Sequence, residues 1–134
     1  MRAIKPINSR SEKNLEGVHP ALQRVIHRAD QESPIAFVVI EGRRTLERQK
    51  ELYRTGKSQT MRSRHLTGHA VDIVPIEQGR ITWNWNVFHK LAIAIKKAAQ
   101  AEKVPIEWGG DWRTFKDGPH WQLPWEQFPI EAPK

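Results

Sequence analysis

The chain has 134 residues, a formal net charge of +7 and six tryptophans, and 38% of its residues are hydrophobic. This length predicts a single domain over residues 1–134. The absence of cysteine excludes disulfides, Cys-based zinc sites and thiol nucleophiles. No apolar run reaches the roughly 18 residues of a membrane span, and the basic N-terminus lacks the apolar segment of a secretory signal. We therefore expect synthesis in the cytoplasm and no stable membrane insertion.

Hydrophobic spacing and turn residues predict that helices and strands alternate along the chain. A short capped turn beginning at Ser11 comes first, and a hairpin-like return at Glu77–Arg80 follows the second strand and precedes the third helix. The predicted helices cover about 20–31, 45–55 and 85–102, and the predicted strands cover 35–40, 68–73, 104–108 and 120–123. This order predicts an α+β fold, with helices packed on a small, largely antiparallel sheet.

The stretch S-R-H-L-T-G-H-A-V-D, from Ser63 to Asp72, places an imidazole and a carboxylate a fixed distance apart. On a strand, Asp72 shares its face with small residues that leave room beside the carboxylate. The later motif D-G-P-H, from Asp117 to His120, adds a second carboxylate and a second imidazole. His65, Asp72 and His120 supply two nitrogens and one oxygen, which suits a catalytic zinc with an open fourth position, and Asp117 remains as a candidate base. The alternative is that these are hydrogen-bonded polar residues at strand ends.

The remaining histidines lack the same support. His69 lies on the opposite face of the predicted strand from Asp72, so we do not expect it to be a ligand. His19, His27 and His89 lie in predicted helices without a partner at ligand spacing, and we predict surface or packing roles for them.

The pattern S-x-H-x-x-G-x-A-x-D followed by D-x-x-H resembles the signature of the zinc D-Ala-D-Ala carboxypeptidase/dipeptidase superfamily. That group includes the VanX and VanY enzymes, the phage L-alanyl-D-glutamate peptidases and the catalytically silent hedgehog signalling domains. The resemblance extends over nearly the whole chain, through S-E-K-N-L, V-H-P, E-G-R-R-T, W-G-G-D-W and D-G-P-H-W. The chain is most similar to the single-domain phage endolysins. The resemblance implies a single-domain zinc peptidase of the D-Ala-D-Ala carboxypeptidase/hedgehog type.

Carried over position by position, the resemblance makes His65, Asp72 and His120 the zinc ligands. It makes Asp117 the catalytic carboxylate, and it makes Arg44 the residue that stabilises the developing oxyanion.

Three further positions follow from the same resemblance. Arg44 fits the family position better than its neighbour Arg43. Ser63 is expected to orient the site or to touch substrate. Gln122 is a departure, because relatives often carry an acid two residues after the last ligand, in contact with the ligand shell.

The implied function is a zinc-dependent endolysin that hydrolyses the L-Ala–D-Glu bond of peptidoglycan stem peptides. It would act as a monomer, release phage by host lysis, and reach the wall through a holin-like partner that permeabilises the membrane. The alternative within the family is a D-Ala-D-Ala-type carboxypeptidase. A member that only binds is disfavoured because Asp117 and Arg44 are both present.

Two hypotheses come from other classes. A basic nucleic-acid-binding module would use its tryptophans for stacking, but bulk charge is its main support, so we predict no nucleic-acid partner. A serine hydrolase built on Ser63 and His65 lacks the G-x-S-x-G context and is set aside.

Histidine must be neutral to bind a metal, so protonation of the ligands opposes zinc binding. We predict that activity falls on the acid side of neutrality as the ligand histidines protonate. A pH–rate profile measures this directly, and a flat acid limb would contradict it.

Overall fold

The computed structural model describes residues 7–58 and 60–129. The helices are α1 (Ser9–Asn14), α2 (Pro20–Glu32), α3 (Leu46–Arg54) and α4 (Trp85–Glu102), with 3₁₀ turns at Arg64–Thr67 and Gly109–Asp111. The strands are β1 (Ala36–Glu41), β2 (Ala70–Glu77), β3 (Arg80–Ile81), β4 (Glu107–Trp108) and β5 (His120–Gln122). Among these described segments, no helix combines the length and apolar character needed to cross a membrane.

The strands form an antiparallel sheet in the order β1-β2-β5-β4. The short strand β3 pairs with the end of β2 and forms the predicted hairpin-like return. Helices alternate with these strands along the chain and pack on the sheet. The predicted α+β class with a largely antiparallel sheet is confirmed.

The register across the middle of the sheet aligns three polar residues. Asp72 of β2 lies opposite Glu41 of β1 on one side and opposite His120 of β5 on the other. An irregularity in β1 between Val39 and Glu41 places Glu41, and not Ile40, opposite Asp72. Because directly opposed residues of neighbouring strands share a face of the sheet, these side chains form one polar row.

The opposite face of β2 belongs to the core, which α2 and α4 help to build. These two helices contact each other, and their apolar stripes confirm the predicted helical spacing. The core includes Leu22, Val25, Ile26, Val71, Ile73, Phe88, Leu91 and Ile95. Side chains alternate along a strand, so burial of Val71 and Ile73 directs Asp72 to the other face.

The ends of the helices refine the sequence predictions. Asn8 caps α1, a six-residue helix where a capped turn from Ser11 was predicted. His19 caps α2 through its side chain, and Pro20 occupies the first turn as expected. Asn84 caps α4 and accepts a hydrogen bond from a backbone N–H of the first turn.

The segment before β2 departs from the prediction, because the strand begins at Ala70 and not at Gly68. Gly68 instead ends the turn at Arg64–Thr67 in a left-handed conformation, with φ of 76°. A Cβ atom at this position would lie 2.2 Å from the carbonyl oxygen of Gly17. The backbone N–H of His19 also donates to the Gly68 carbonyl at 2.8 Å. Close approach of the two backbone segments therefore requires glycine here.

Substitution of Gly68 tests this close approach against a matched control. Gly79 has nearly the same φ of 77°, but nothing lies within 4 Å of its Cβ position. We expect Gly79→Ala to lower the free energy of unfolding by about 1–2 kcal/mol through its backbone conformation alone. Gly68→Ala should cost a further ~1–3 kcal/mol, because its Cβ meets the Gly17 carbonyl. Urea unfolding measures both, and equal losses would contradict the role assigned to the contact.

Candidate active site and metal centre

The structure brings His65, Asp72 and His120 together, with one donor atom of each lying within 4.8 Å of the others. His65 comes from the 3₁₀ turn before β2, Asp72 from β2, and His120 from the first position of β5. Asp72 Oδ1 lies 3.3 Å from His65 Nε2 and 3.5 Å from His120 Nδ1. Three segments that are distant in sequence thus place two imidazole nitrogens around one carboxylate.

Two of these atoms are buried without a hydrogen-bond partner among the described residues, namely His65 Nε2 and Asp72 Oδ1. Buried polar atoms are nearly always paired, so an unpaired cluster requires an explanation. A cation bound between them would satisfy both atoms. The two-nitrogen, one-oxygen donor set is one that catalytic zinc sites use, and the residues therefore fit a zinc ion.

The outer nitrogen of each imidazole has a fixed partner. The His65 Nδ1–H donates to the Gly42 carbonyl at 2.8 Å, so in the neutral ring Nε2 is the nitrogen that can bind a metal. Glu107 Oε2 only accepts, so the Gln122 amide donates its N–H to that oxygen at 3.0 Å. The Gln122 Oε1 then faces His120 and accepts from Nε2–H at 2.7 Å, which leaves Nδ1 available. These contacts select the tautomers that metal binding needs.

The departure noted at Gln122 therefore preserves the contact expected of an acid. Its amide oxygen accepts a hydrogen bond from His120, and its amide nitrogen donates one to the carboxylate of Glu107. Sequence spacing alone did not identify Glu107, because it lies on a neighbouring strand.

Asp117 lines the same cleft as the three clustered residues. Its backbone N–H donates to the Gly109 carbonyl at 3.0 Å, and a Cβ atom on Gly109 would lie 2.3 Å from the Asp117 carbonyl oxygen. The indole N–H of Trp108 donates to the Gly118 carbonyl at 2.7 Å. Gly109 and Gly110 are both buried, and this pair supports the loop that carries Asp117.

The two carboxylates of the cleft have opposite pKa shifts. Burial raises the pKa of the Asp117 carboxyl, and the negative charge of Asp72 raises it further, against the opposing effects of His120, His65 and Arg44. Burial also opposes ionisation of Asp72, but the adjacent imidazoles of His120 and His65 hold the pKa of its carboxyl well below the usual range. Asp72 thus stays ionised, while Asp117 is suited to proton exchange.

Arg44 is held at the edge of this cluster. Its Nε donates to Glu41 Oε1 at 2.6 Å and its Nη1 donates to Gln49 Oε1 at 2.7 Å. Its Nη2 lies 3.8 Å from Asp72 Oδ2. Glu41 and Gln49 were not singled out in the sequence, although Glu41 ends a buried strand and Gln49 is three residues from the apolar Leu52 on the same helix.

Arg43, which is next to Arg44 in sequence, and Ser63, which is near it in space, have different places relative to the cleft. Arg43 lies outside the cleft, where its side chain approaches Gly17. Ser63 lies in the cleft, and its hydroxyl accepts from the His65 backbone N–H at 3.1 Å and lies 3.5 Å from Arg44 Nη1. Ser63 therefore orients the turn that carries His65.

The cleft above these residues has a volume of about 570 Å³ and is open to solvent. Its walls outside the polar cluster include Lys57, Ser58, Thr60, Trp112, Phe115 and Lys116. The Trp112 ring lies 5.1 Å from the His120 ring, centroid to centroid. A peptide chain can therefore enter the cleft that these residues line.

Comparison with known proteins decides the family. The family model for phage L-alanyl-D-glutamate peptidases matches residues 5–122. The chain belongs to this family. It is 33% identical over 111 residues to the L-alanyl-D-glutamate peptidase of Escherichia phage T5, which covers 80% of this chain and 81% of that protein.

Two further similarities support the assignment to the L-alanyl-D-glutamate peptidase family. The L-alanyl-D-glutamate peptidase of Listeria phage A118 is 38% identical over 89 residues, which are 66% of this chain and 31% of that longer protein. The crystal structure of the L-Ala D-Glu endopeptidase ChiX from Serratia marcescens matches with a TM-score of 0.87 and 50% sequence identity, over 91% of this chain and 92% of that one. The predicted family and fold type are confirmed.

The other four histidines lie outside the cluster of His65, Asp72 and His120. His69 Nδ1 contacts Thr67 Oγ1 at 2.6 Å, and the His69 ring packs 5.3 Å from that of His19. His89 packs against Trp108 in an aromatic cluster. His27 lies 3.2 Å from Glu12, an acidic partner that sequence spacing did not suggest.

Removal of the amide behind His120 should weaken zinc binding. Gln122→Ala deletes the acceptor for His120 Nε2–H, and loss of such an outer contact typically costs ~10–100-fold in metal affinity. Gln122→Glu retains an acceptor and should stay closer to the wild type. Competition with a chromophoric chelator measures the affinities, and an unchanged affinity in Gln122→Ala would show that the contact does not support the site.

Proposed function

We propose that this chain is a zinc-dependent endopeptidase that hydrolyses the L-Ala–D-Glu bond of peptidoglycan stem peptides. His65, Asp72 and His120 would hold the zinc ion, with Asp117 and Arg44 as the catalytic side chains. The observation that carries the proposal is the group of unpaired, buried donor atoms of His65 and Asp72 in one cleft with Asp117, in a chain of this peptidase family.

A zinc ion at this position would supply Lewis-acid activation of water and of the scissile carbonyl. Asp117 exchanges the protons: its carboxylate accepts one from the attacking water and returns it to the leaving amine nitrogen as the C–N bond breaks. The raised pKa of Asp117 suits both directions of transfer, because its conjugate acid does not lose the proton too readily. The products are a new carboxylate on L-alanine and a new amino group on D-glutamate.

The positive guanidinium of Arg44 stabilises the negative charge that develops on the carbonyl oxygen during attack. Its guanidinium is nearly buried and is already fixed by Glu41 and Gln49, so little reorganisation is needed when that charge forms. Ser63 holds the adjacent turn and is in a position to contact substrate.

The wider role that we propose is host lysis by a phage enzyme. The enzyme would be made in the host cytoplasm, act as a monomer, and reach the wall once a holin-like partner has permeabilised the membrane. Its net charge of +7 would favour approach to an anionic wall polymer. We propose no nucleic-acid partner and no stable insertion in the membrane.

The D-Ala-D-Ala-type carboxypeptidase alternative is less well supported. The matching family model and the three similar proteins reported above all carry names that refer to the bond between L-alanine and D-glutamate. An analysis of the cleavage products separates the two activities, because only the endopeptidase creates a new N-terminal D-glutamate.

Replacement of the proposed base should slow turnover strongly without removing the metal. We expect Asp117→Asn to lower kcat by ~10²–10⁴-fold, the usual contribution of general acid–base catalysis. The variant should still bind about one zinc per chain, because Asp117 is not among the three clustered ligands. The measurements are zinc content and clearing of purified peptidoglycan, with new N-terminal D-glutamate identified in the digest.

Lys116→Gln is the matched control, because Lys116 lines the same cleft and is adjacent in sequence but has no proposed catalytic role. It should retain zinc and most of the activity. Absence of zinc and of clearing in the wild type would refute the proposed function. Full activity in Asp117→Asn would refute only the role of the base.

A further inference from the structure

A second cavity continues the catalytic cleft on the far side of His120. It has a volume of about 650 Å³. Thr60, Ser63, Trp112 and His120 line both cavities, so the two form one groove. The remaining wall of the second cavity is formed by Arg62, Arg64, Gln122 and Trp125. The groove therefore runs from the zinc ligands onto a surface that the proposed mechanism does not use.

This surface presents two guanidinium groups against one aromatic ring. The Arg64 guanidinium carbon lies 4.2 Å from the centroid of the Trp125 ring, and that of Arg62 lies 5.4 Å from it. Arg64 is buried and donates to the carbonyls of Leu123 and Phe128, so it anchors the C-terminal segment that carries Trp125. Arg62 is exposed.

Arg62 has donors to spare for a ligand. No carboxylate lies within ion-pair distance of Arg62 in the part of the chain that the structure describes. A guanidinium that lies against a ring face keeps its in-plane N–H groups free for other contacts. Arg64 Nη1, beside the same ring, is also buried without a hydrogen-bond partner among the described residues. The surface is therefore cationic and has guanidinium donors available to a ligand.

The proposed substrate supplies an acceptor of the right kind. D-Glutamate carries two carboxyl groups, and only one of them can continue the peptide, so the other is free unless it is modified. A planar carboxylate suits the forked donors of arginine, and a charged pair beside an aromatic wall is strengthened by partial exclusion of water. We propose that Arg62, supported by Trp125, binds the free carboxylate of the D-glutamate residue on the leaving side of the scissile bond.

The assignment of this subsite rests on the proposed function. It predicts a preference of the endopeptidase among peptides that all contain the L-Ala–D-Glu bond. Arg62 would act as a specificity residue that distinguishes a free carboxylate from a carboxamide at the same position. The Trp125 ring holds the guanidinium of Arg62 in place and shields one of its faces.

A matched pair of peptides tests the subsite. Both contain the L-Ala–D-Glu bond and one further stem residue. They differ only in the D-glutamate carboxyl group that does not continue the peptide, which is free in one and amidated in the other. For the wild type we expect kcat/KM to be about 10-fold lower for the amide, because a charge-assisted bidentate contact is lost. Arg62→Gln should lower kcat/KM about 10-fold for the carboxylate and less than about 2-fold for the amide. Trp125→Leu should give a smaller loss with the same selectivity.

Arg113→Gln is the control for net charge, because Arg113 is exposed and lines neither cavity. It should leave the ratio between the two peptides unchanged. If Arg62→Gln affects both peptides equally or neither, the subsite is refuted while the endopeptidase activity stands. If the wild type cleaves neither peptide at this bond, the proposed function fails and the subsite fails with it.

Discussion

The antiparallel pairing of Asp72 with His120 is the constraint on which the rest of the site depends. Side chains alternate along β2, so a slip of one residue would turn Asp72 into the core and bring Val71 and Ile73 out. Burial of those two apolar residues against the helices therefore fixes the face on which the carboxylate lies. The hydrophobic core, which contains no catalytic group, thus sets the geometry of the proposed metal ligands.

Two loops bring the remaining groups to this row, and both are held by close backbone contacts. Gly68 allows the turn that carries His65 to pack against Gly17, and Gly109 allows the loop that carries Asp117 to pack against the end of the sheet. Loops held in this way behave as parts of the scaffold, which favours preorganised catalytic geometry. The proposed active site is therefore rigid at its base, while its outer walls are exposed side chains such as Phe115.

The carboxylates of Asp72 and Asp117 lie in one cleft but have different electrostatic environments. The imidazoles of His120 and His65 lower the pKa of the Asp72 carboxyl, whereas partial burial and the negative charge of Asp72 raise the pKa of Asp117. Titratable groups whose pKa values are pushed apart in this way commonly mark a division of roles. Glu41, which lies opposite Asp72 in the sheet, pairs with Arg44 and holds the cation within 3.8 Å of the Asp72 carboxylate.

The sequence by itself was enough to predict the candidate site residues, because local motifs and the family resemblance mark His65, Asp72, His120 and Asp117, and apolar spacing predicts α2 and α4. Only the tertiary structure decided which polar residues support them. Glu41 reaches its position through an irregularity in β1, and Gln49 lies on a polar helix where nothing local separates it from an exposed glutamine. Glu107 reaches His120 only through Gln122 on the neighbouring strand. Such partners depend on strand register and on packing between distant segments, which arise from the whole core and not from any one stretch of chain.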